Sequence, residues 1–293
     1  MAKKVLWKLT PIQPVMGRLD QGLIFTCGRA EDFLSHEVFG VTITARCDIA
    51  QDKADKYSYL PIVRLRDWWH VDGCRILSGR ARHQQFTSLR QNLRHAGLSE
   101  SILTVESPRR IAETLFPEGV DGPRAKCRVR VHELVASLER IEAVGEVAAQ
   151  TEKVQALCSE FAGLRRSLMD ELVAHRLTGY YFLPQIDPDG DDMGYVVLLR
   201  EVRHLPREIA RCVAAGFPRP EPRVDTDTGS QFVAHLCFDH YDFAMPIGLL
   251  PSPLIEHIMQ SFALLFTRIG LEDLPSEYLT DLWDRQKLGP AKE

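Results

Sequence analysis

Three groups of residues in this chain have types and spacings that could do chemistry. Asp189 and Glu201 flank a turn-rich run, and a β-hairpin there would bring two carboxylates to one metal. Such a pair can hold Mg²⁺ for phosphodiester hydrolysis. His235, Cys237 and Asp239 recur at every second position, which on a strand puts all three on one face. Zinc accepts this mixture of nitrogen, sulfur and oxygen ligands. The third group is cationic: Arg75, Arg80, Arg82, Arg90 and Arg94 fall in a segment, residues 64–130, holding 13 Lys/Arg against 7 Asp/Glu. Such an excess inside an acidic chain points to an anionic partner: nucleic acid, a nucleotide or an acidic protein face.

Each group departs from the pattern its chemistry would ask for. Pro188-Asp189 followed by Glu201-Val202-Arg203 is similar to the PD…(D/E)xK pattern of restriction-like nucleases, with Arg203 where lysine is expected. A guanidinium cannot shed its proton and serve as a base. Asp187-Pro188-Asp189-Gly190-Asp191-Asp192 imitates a calcium loop, but the sixth and twelfth positions hold Asp192 and Leu198 instead of Gly and Glu, so a hairpin turn is preferred. The His235 group matches no standard zinc spacing and lacks a fourth ligand. Arg46 and Asp48 could ion-pair or take a ligand's phosphate or hydroxyl. Cys47, between them, alternates with Ile43 and Ile49 and is expected to be a core thiol.

The elements that must position these residues follow from periodicity. Residues 41–49 alternate apolar and polar, which predicts a half-buried strand. Residues 57–65 predict a second, with Pro61 marking an edge or a bulge. Phe86, Leu89, Leu93 and Ala96 predict a helix capped by Gly97, and Ser107-Pro108 opens another. From 126 to 178 there is no proline, and apolar residues recur every three or four positions with a slip near Gly145. That run predicts an antiparallel helical hairpin or, alternatively, one helix of about 75 Å. Residues 180–186 and 195–202 predict a hairpin, and 231–238 another strand. Ile255, Ile258, Met259, Phe262, Leu265 and Ile269 form a helical stripe after Ser252-Pro253, and a short helix is expected over 278–285.

With 293 residues, 45% of them hydrophobic, the chain can bury a sizeable core. No stretch approaches a membrane span, and Lys8 breaks the apolar start, so neither an anchor nor a signal peptide is expected. Seven cysteines, odd in number and widely spaced, predict reduced thiols and a cytoplasmic location. The chain has no phosphate-binding loop, dinucleotide fingerprint, HExxH or GxSxG, and no cofactor is expected.

Thr44 to Lys53 (TARCDIAQDK), with Tyr59-Leu60-Pro61 after it, and Ser252 to His257 running on to Gly270 resemble segments of an uncharacterised bacterial protein family. The resemblance covers about a quarter of the chain and implies a bacterial cytoplasmic protein, with no activity attached. The expected fold is α+β: an antiparallel or mixed sheet, or small barrel, built from N- and C-terminal strands, with helices inserted between them. The boundaries are 1–75 for the first β part, 76–178 for the helical insertion and 179–293 for the part that completes the sheet. The expected function is that of a non-catalytic binding or adaptor subunit of a bacterial multi-protein system, with a protein partner and a basic face that also suits nucleic acid. The alternative is a metal-dependent nuclease or other hydrolase.

Overall fold

The computed structural model describes residues 10–145, 151–190, 194–220 and 234–267. In chain order the elements are β1 (Leu23–Phe25), β2 (Val38–Thr42), α1 (Arg46–Ala50), β3 (Lys56–Arg64), α2 (Leu65–Trp68), α3 (Cys74–His95), α4 (Pro108–Leu115), α5 (Pro123–Gly145), α6 (Thr151–Glu160), α7 (Ala162–Val173), β4 (Tyr180–Leu183), β5 (Tyr195–Leu198), β6 (Arg203–Pro206), α8 (Arg207–Ala215), β7 (Phe217–Pro218), β8 (Phe243–Ala244), β9 (Pro246–Leu249) and α9 (Leu254–Ala263). Seven strands form one sheet in the order β4-β5-β3-β2-β1-β9, with β6 also paired to β3, while β7 and β8 make a separate ribbon. All of these pairings are antiparallel. The N- and C-terminal β blocks therefore share one sheet, and α2–α7 are inserted between β3 and β4, as the α+β reading expects. The sheet ends at β4 and β9 without closing, so the barrel alternative falls.

Pro61 lies in the central strand, not at an edge. β3 pairs along its length with β2, and on its other side with β6 through residues 56–59 and with β5 through residues 62–64. Ser58 donates to Thr44 and accepts from Ile43, so its backbone polar groups face the β2 side. Alternation then turns the Pro61 nitrogen to the opposite side. There it meets the gap between β5 and β6, where no ladder bond asks for a donor.

The pleat sorts the strand residues into two packed faces. Val38, Val63, Val196 and Leu198 pack with α3, α6 and α7. Their neighbours Phe39, Val41, Ile62, Tyr195 and Val197 pack with α9 on the opposite face. Tyr57 and Tyr59, elsewhere on β3, pack with Leu205 of β6 and with Ile209 and Val213 of α8. Because both faces are covered, the short strands are apolar almost throughout.

The helical stripe expected after residue 126 is buried as read, from Val131, Leu134, Leu138 and Ile141 through Val154, Leu157 and Phe161 to Leu168 and Leu172. It is not one helix. Glu160 of α6 accepts from Ser137 and Arg140 of α5, so the chain doubles back into the antiparallel hairpin. It breaks again at Phe161, whose φ and ψ are −112° and 40°. Ser107 caps α4 by accepting from Arg110 N, and Gly97 follows α3 at φ +74°. A second core lies beyond the sheet. Leu89 and Leu93 of α3, Ile111 of α4, Phe116, and Val131 and Leu134 of α5 enclose one another without any sheet residue.

Two expected strands are corrected. The run 41–49 leaves the sheet after Thr42: the Thr44 hydroxyl takes the Ser58 N–H, and Arg46–Ala50 turn into α1. Cys47 is exposed there rather than a core thiol. In the run 231–238, Ala234 and His235 are helical and 236–238 are irregular. Leu236 and Phe238 are buried as their alternation predicts, but β9 takes the place in the sheet. Ile269 and residues 278–285 lie outside the described residues. No helix among the described residues is long and apolar enough to cross a membrane.

Gly40 is the tightest point of the sheet. A Cβ there would stand 2.3 Å from the ring of Phe25 and 2.8 Å from that of Tyr59, both buried. Overpacking a rigid core costs about 1–3 kcal/mol or more. Gly40→Ala is expected to lower the unfolding free energy by at least about 2 kcal/mol in urea titration, whereas Gly79→Ala, with open space around it, should be neutral or stabilising.

Candidate functional site

The five arginines read as anion-binding all fall on α3, a helix about 33 Å long at 1.5 Å per residue. Four of them meet carboxylates of this chain. Arg80 forms a two-pronged bond to Glu171 of α7, at 2.8 and 2.7 Å. Arg75 bonds to Asp72, Arg82 lies 3.5 Å from Glu142, and Arg94 lies 3.1 Å from Glu100. Arg90 is exposed and has no such partner among the described residues. The same pairing continues around the second core: Arg109 with Glu113, Arg110 with Glu106, Arg128 with Glu118 and Arg130 with Glu133. The excess of arginine therefore appears at the surface as a mosaic of ion pairs rather than as an uncompensated basic strip.

Asp189 and Glu201 do not come together. The register Tyr180↔Leu198 and Leu183↔Tyr195 puts residues 187–190 past one end of the β4–β5 hairpin and Glu201 past the other. Asp189 accepts from Gln13 at 2.6 Å. Glu201 sits in the break between β5 and β6, where it accepts from Glu31 N at 2.9 Å and from Arg203 at 2.6 Å. Glu201 and Arg75 instead both line a 280 Å³ cavity, together with Tyr180, Arg200 and Asp72. Burial pushes the Tyr180 phenol up to about 12, and the nearby Asp72 carboxylate adds to it.

Residues 231–233 lie outside the described residues, and 234–238 form no strand, so the one-face argument for His235, Cys237 and Asp239 has no support. Cys237 Sγ lies 3.5 Å from Asp239 Oδ2, and Cys237 N donates to Cys27 O at 2.9 Å. Among the described residues no three His, Cys, Asp or Glu side chains gather as a metal set. The Cys27 thiol, buried below this segment, is pushed up to about 12 by desolvation and stays protonated at neutral pH.

Two features escape sequence reasoning altogether. The first is a cavity of 640 Å³ where α1 meets the turn before α9, lined by Arg46 and Ile49 of α1, Arg18, and Leu249 and Leu250. The two segments of the family resemblance, Thr44–Lys53 and Ser252–His257, meet there: Arg46 and Glu256 stand 3.1 Å apart, and Ser252 Oγ bonds to Glu256. The second is an aromatic stack. The His175 ring lies flat on Tyr181 with centroids 4.0 Å apart, and the Tyr181 hydroxyl is 2.7 Å from His257 Nδ1. Burial raises the Tyr181 pKa, so the phenol keeps its proton. Burial also holds His175 below the usual imidazole range. The stack fastens α9 to β4. Sequence spacing carries no sign of it, since 76 residues separate Tyr181 from His257. Compared with protein-family models, curated proteins and solved structures, the chain has no match.

The Arg80–Glu171 pair gives a sign that can be checked. The Arg80 hydrogen bonds hold the Glu171 carboxyl below its ordinary value of 4.5. A lowered folded-state pKa contributes stability at neutral pH that is lost as pH falls below that value. A double-mutant cycle with Arg80→Gln and Glu171→Gln should give a coupling of roughly 0.5–1 kcal/mol at pH 7 that declines as the pH is lowered below 4.5.

Proposed function

We propose that the chain is a non-catalytic binding subunit that engages a protein partner through the helical arm formed by α3, α4 and α5. The observation that carries this reading is the arm's separate core. About fifty residues close around Leu89, Leu93, Phe116 and Val131 without covering any part of the sheet. An element that is not needed to bury the sheet is available for recognition. Val105 and Val129 are exposed on the arm, at 81% and 65%.

The ion-pair mosaic favours protein over nucleic acid. Phosphate binding draws on cations free to displace counterions. Most arm arginines already face carboxylates, so a polyanion would have to free many of them at once and would meet the carboxylates left behind. The nuclease alternative rested on Asp189 and Glu201, which stand beyond opposite ends of one hairpin.

Full-length chain purified from its native cells is expected to carry a stoichiometric protein partner. Val105→Arg and Val129→Arg should weaken that complex by at least about tenfold, a loss of roughly 1.4 kcal/mol, with melting temperatures unchanged because both side chains are exposed. A lone chain that cleaves DNA or RNA with Mg²⁺, and stops doing so on Glu201→Ala, would overturn the reading.

A further inference from the structure

We infer that the 640 Å³ cavity between α1 and the turn before α9 is a binding site for a small monoanion with an aliphatic body, an alkyl carboxylate. Its volume falls within the range of about 300–1,000 Å³ typical of ligand pockets. Three properties of its wall select the ligand.

Ile49, Leu249 and Leu250 line it, and among the described residues no aromatic ring does, so an aliphatic body is matched while a nucleobase finds nothing among them to stack on. Arg18 and Arg46 supply two guanidinium groups. Arg18 lies 3.1 Å from Asp20 with its side chain 68% exposed, and Arg46 lies 3.1 Å from Glu256 with its side chain 50% exposed. Exposed pairs of this kind contribute about 0–1 kcal/mol each, so either arginine can turn to a bound anion at small cost.

The third property is the charge count, which decides between carboxylate and phosphate. Each arginine is already matched by one carboxylate, so the rim is close to neutral. A dianionic phosphate would face Asp20 and Glu256 with a surplus charge, whereas a carboxylate needs one guanidinium and suits its fork-shaped array of donors. Gln21 and Ser252 also line the wall, but Gln21 is bonded to Ile43 O and Ser252 to Glu256, which leaves the arginines as the groups most easily recruited. This site is remote from the arm and does not rest on the adaptor reading.

The test is calorimetric titration of the full chain with octanoate, octan-1-ol and octyl phosphate. Octanoate is expected to bind saturably at one site, about tenfold more tightly than either of the other two. The double variant Arg18→Gln/Arg46→Gln should weaken octanoate by about fivefold or more, as expected for loss of the charge-assisted bond. Ala50→Trp, at an exposed position on the cavity wall, should block binding without lowering the melting temperature. Absence of saturable binding would overturn the inference. So would equal affinity for octan-1-ol, or octanoate binding that survives Ala50→Trp.

Discussion

The molecule is organised by the two-sided pairing of one strand. Among the described residues β3 is the only strand bonded to three others, with β2 along one side and β6 and β5 in succession along the other. Its odd residues feed two cores on one face, Val63 under the helical insertion and Tyr59 under α8, while Leu60 and Ile62 feed the core under α9. A slip of one residue would exchange these faces and put the hydroxyl of Tyr59 where Leu60 now lies. Gly40 and Pro61, directly opposed across β2 and β3, fix that register: one leaves room for the Phe25 ring and the other lacks a donor where no acceptor waits. At the strand's end Arg64 and Tyr241 both donate to Glu37, which ties the β3 terminus to the segment leading into β8.

The charge distribution shows how poorly a net count predicts a field. Residues 64–130 carry 13 cations against 7 anions, yet their arginines reach carboxylates both within the segment and beyond it. Arg80 crosses to Glu171, Arg82 to Glu142 and Arg109 to Glu139, so helices distant in sequence compensate one another's charge. Each exposed pair contributes little to stability. Together they give the arm a surface of paired rather than uncompensated charges.

Most helices were legible because their signals are local. Ser107 before Pro108, Gly97 after a stripe of Leu89 and Leu93, and the spacing of Ile255, Ile258 and Phe262 each encode an element without reference to anything distant. The strands were less legible because alternation records burial and not pairing. Leu236 and Phe238 are buried on alternate positions, yet the segment joins no ladder. In the run from Val41 to Ile49 the pattern outlasts the strand, since Thr44 ends the ladder by taking the Ser58 N–H with its side chain. Short strands such as Leu23–Phe25 and Pro246–Leu249 are too brief to show a period. The cavity was invisible for a different reason: Arg18, Arg46 and Leu250 come from three distant stretches, and only the pairing of β1 with β9 brings them together.

The second core in the arm also bears on how the molecule breathes. The core of Leu93, Ile111 and Phe116 is formed without the sheet, and the core that holds Val63 and Leu172 is formed without them. Only α3 and α5 pass through both. Amide protons at the far ends of those helices would therefore exchange through an opening that leaves the sheet intact, while those of β3 would wait for global unfolding. A ligand gripping the arm would slow the first class of protons and leave the second unchanged, so the two halves of one helix would report different events.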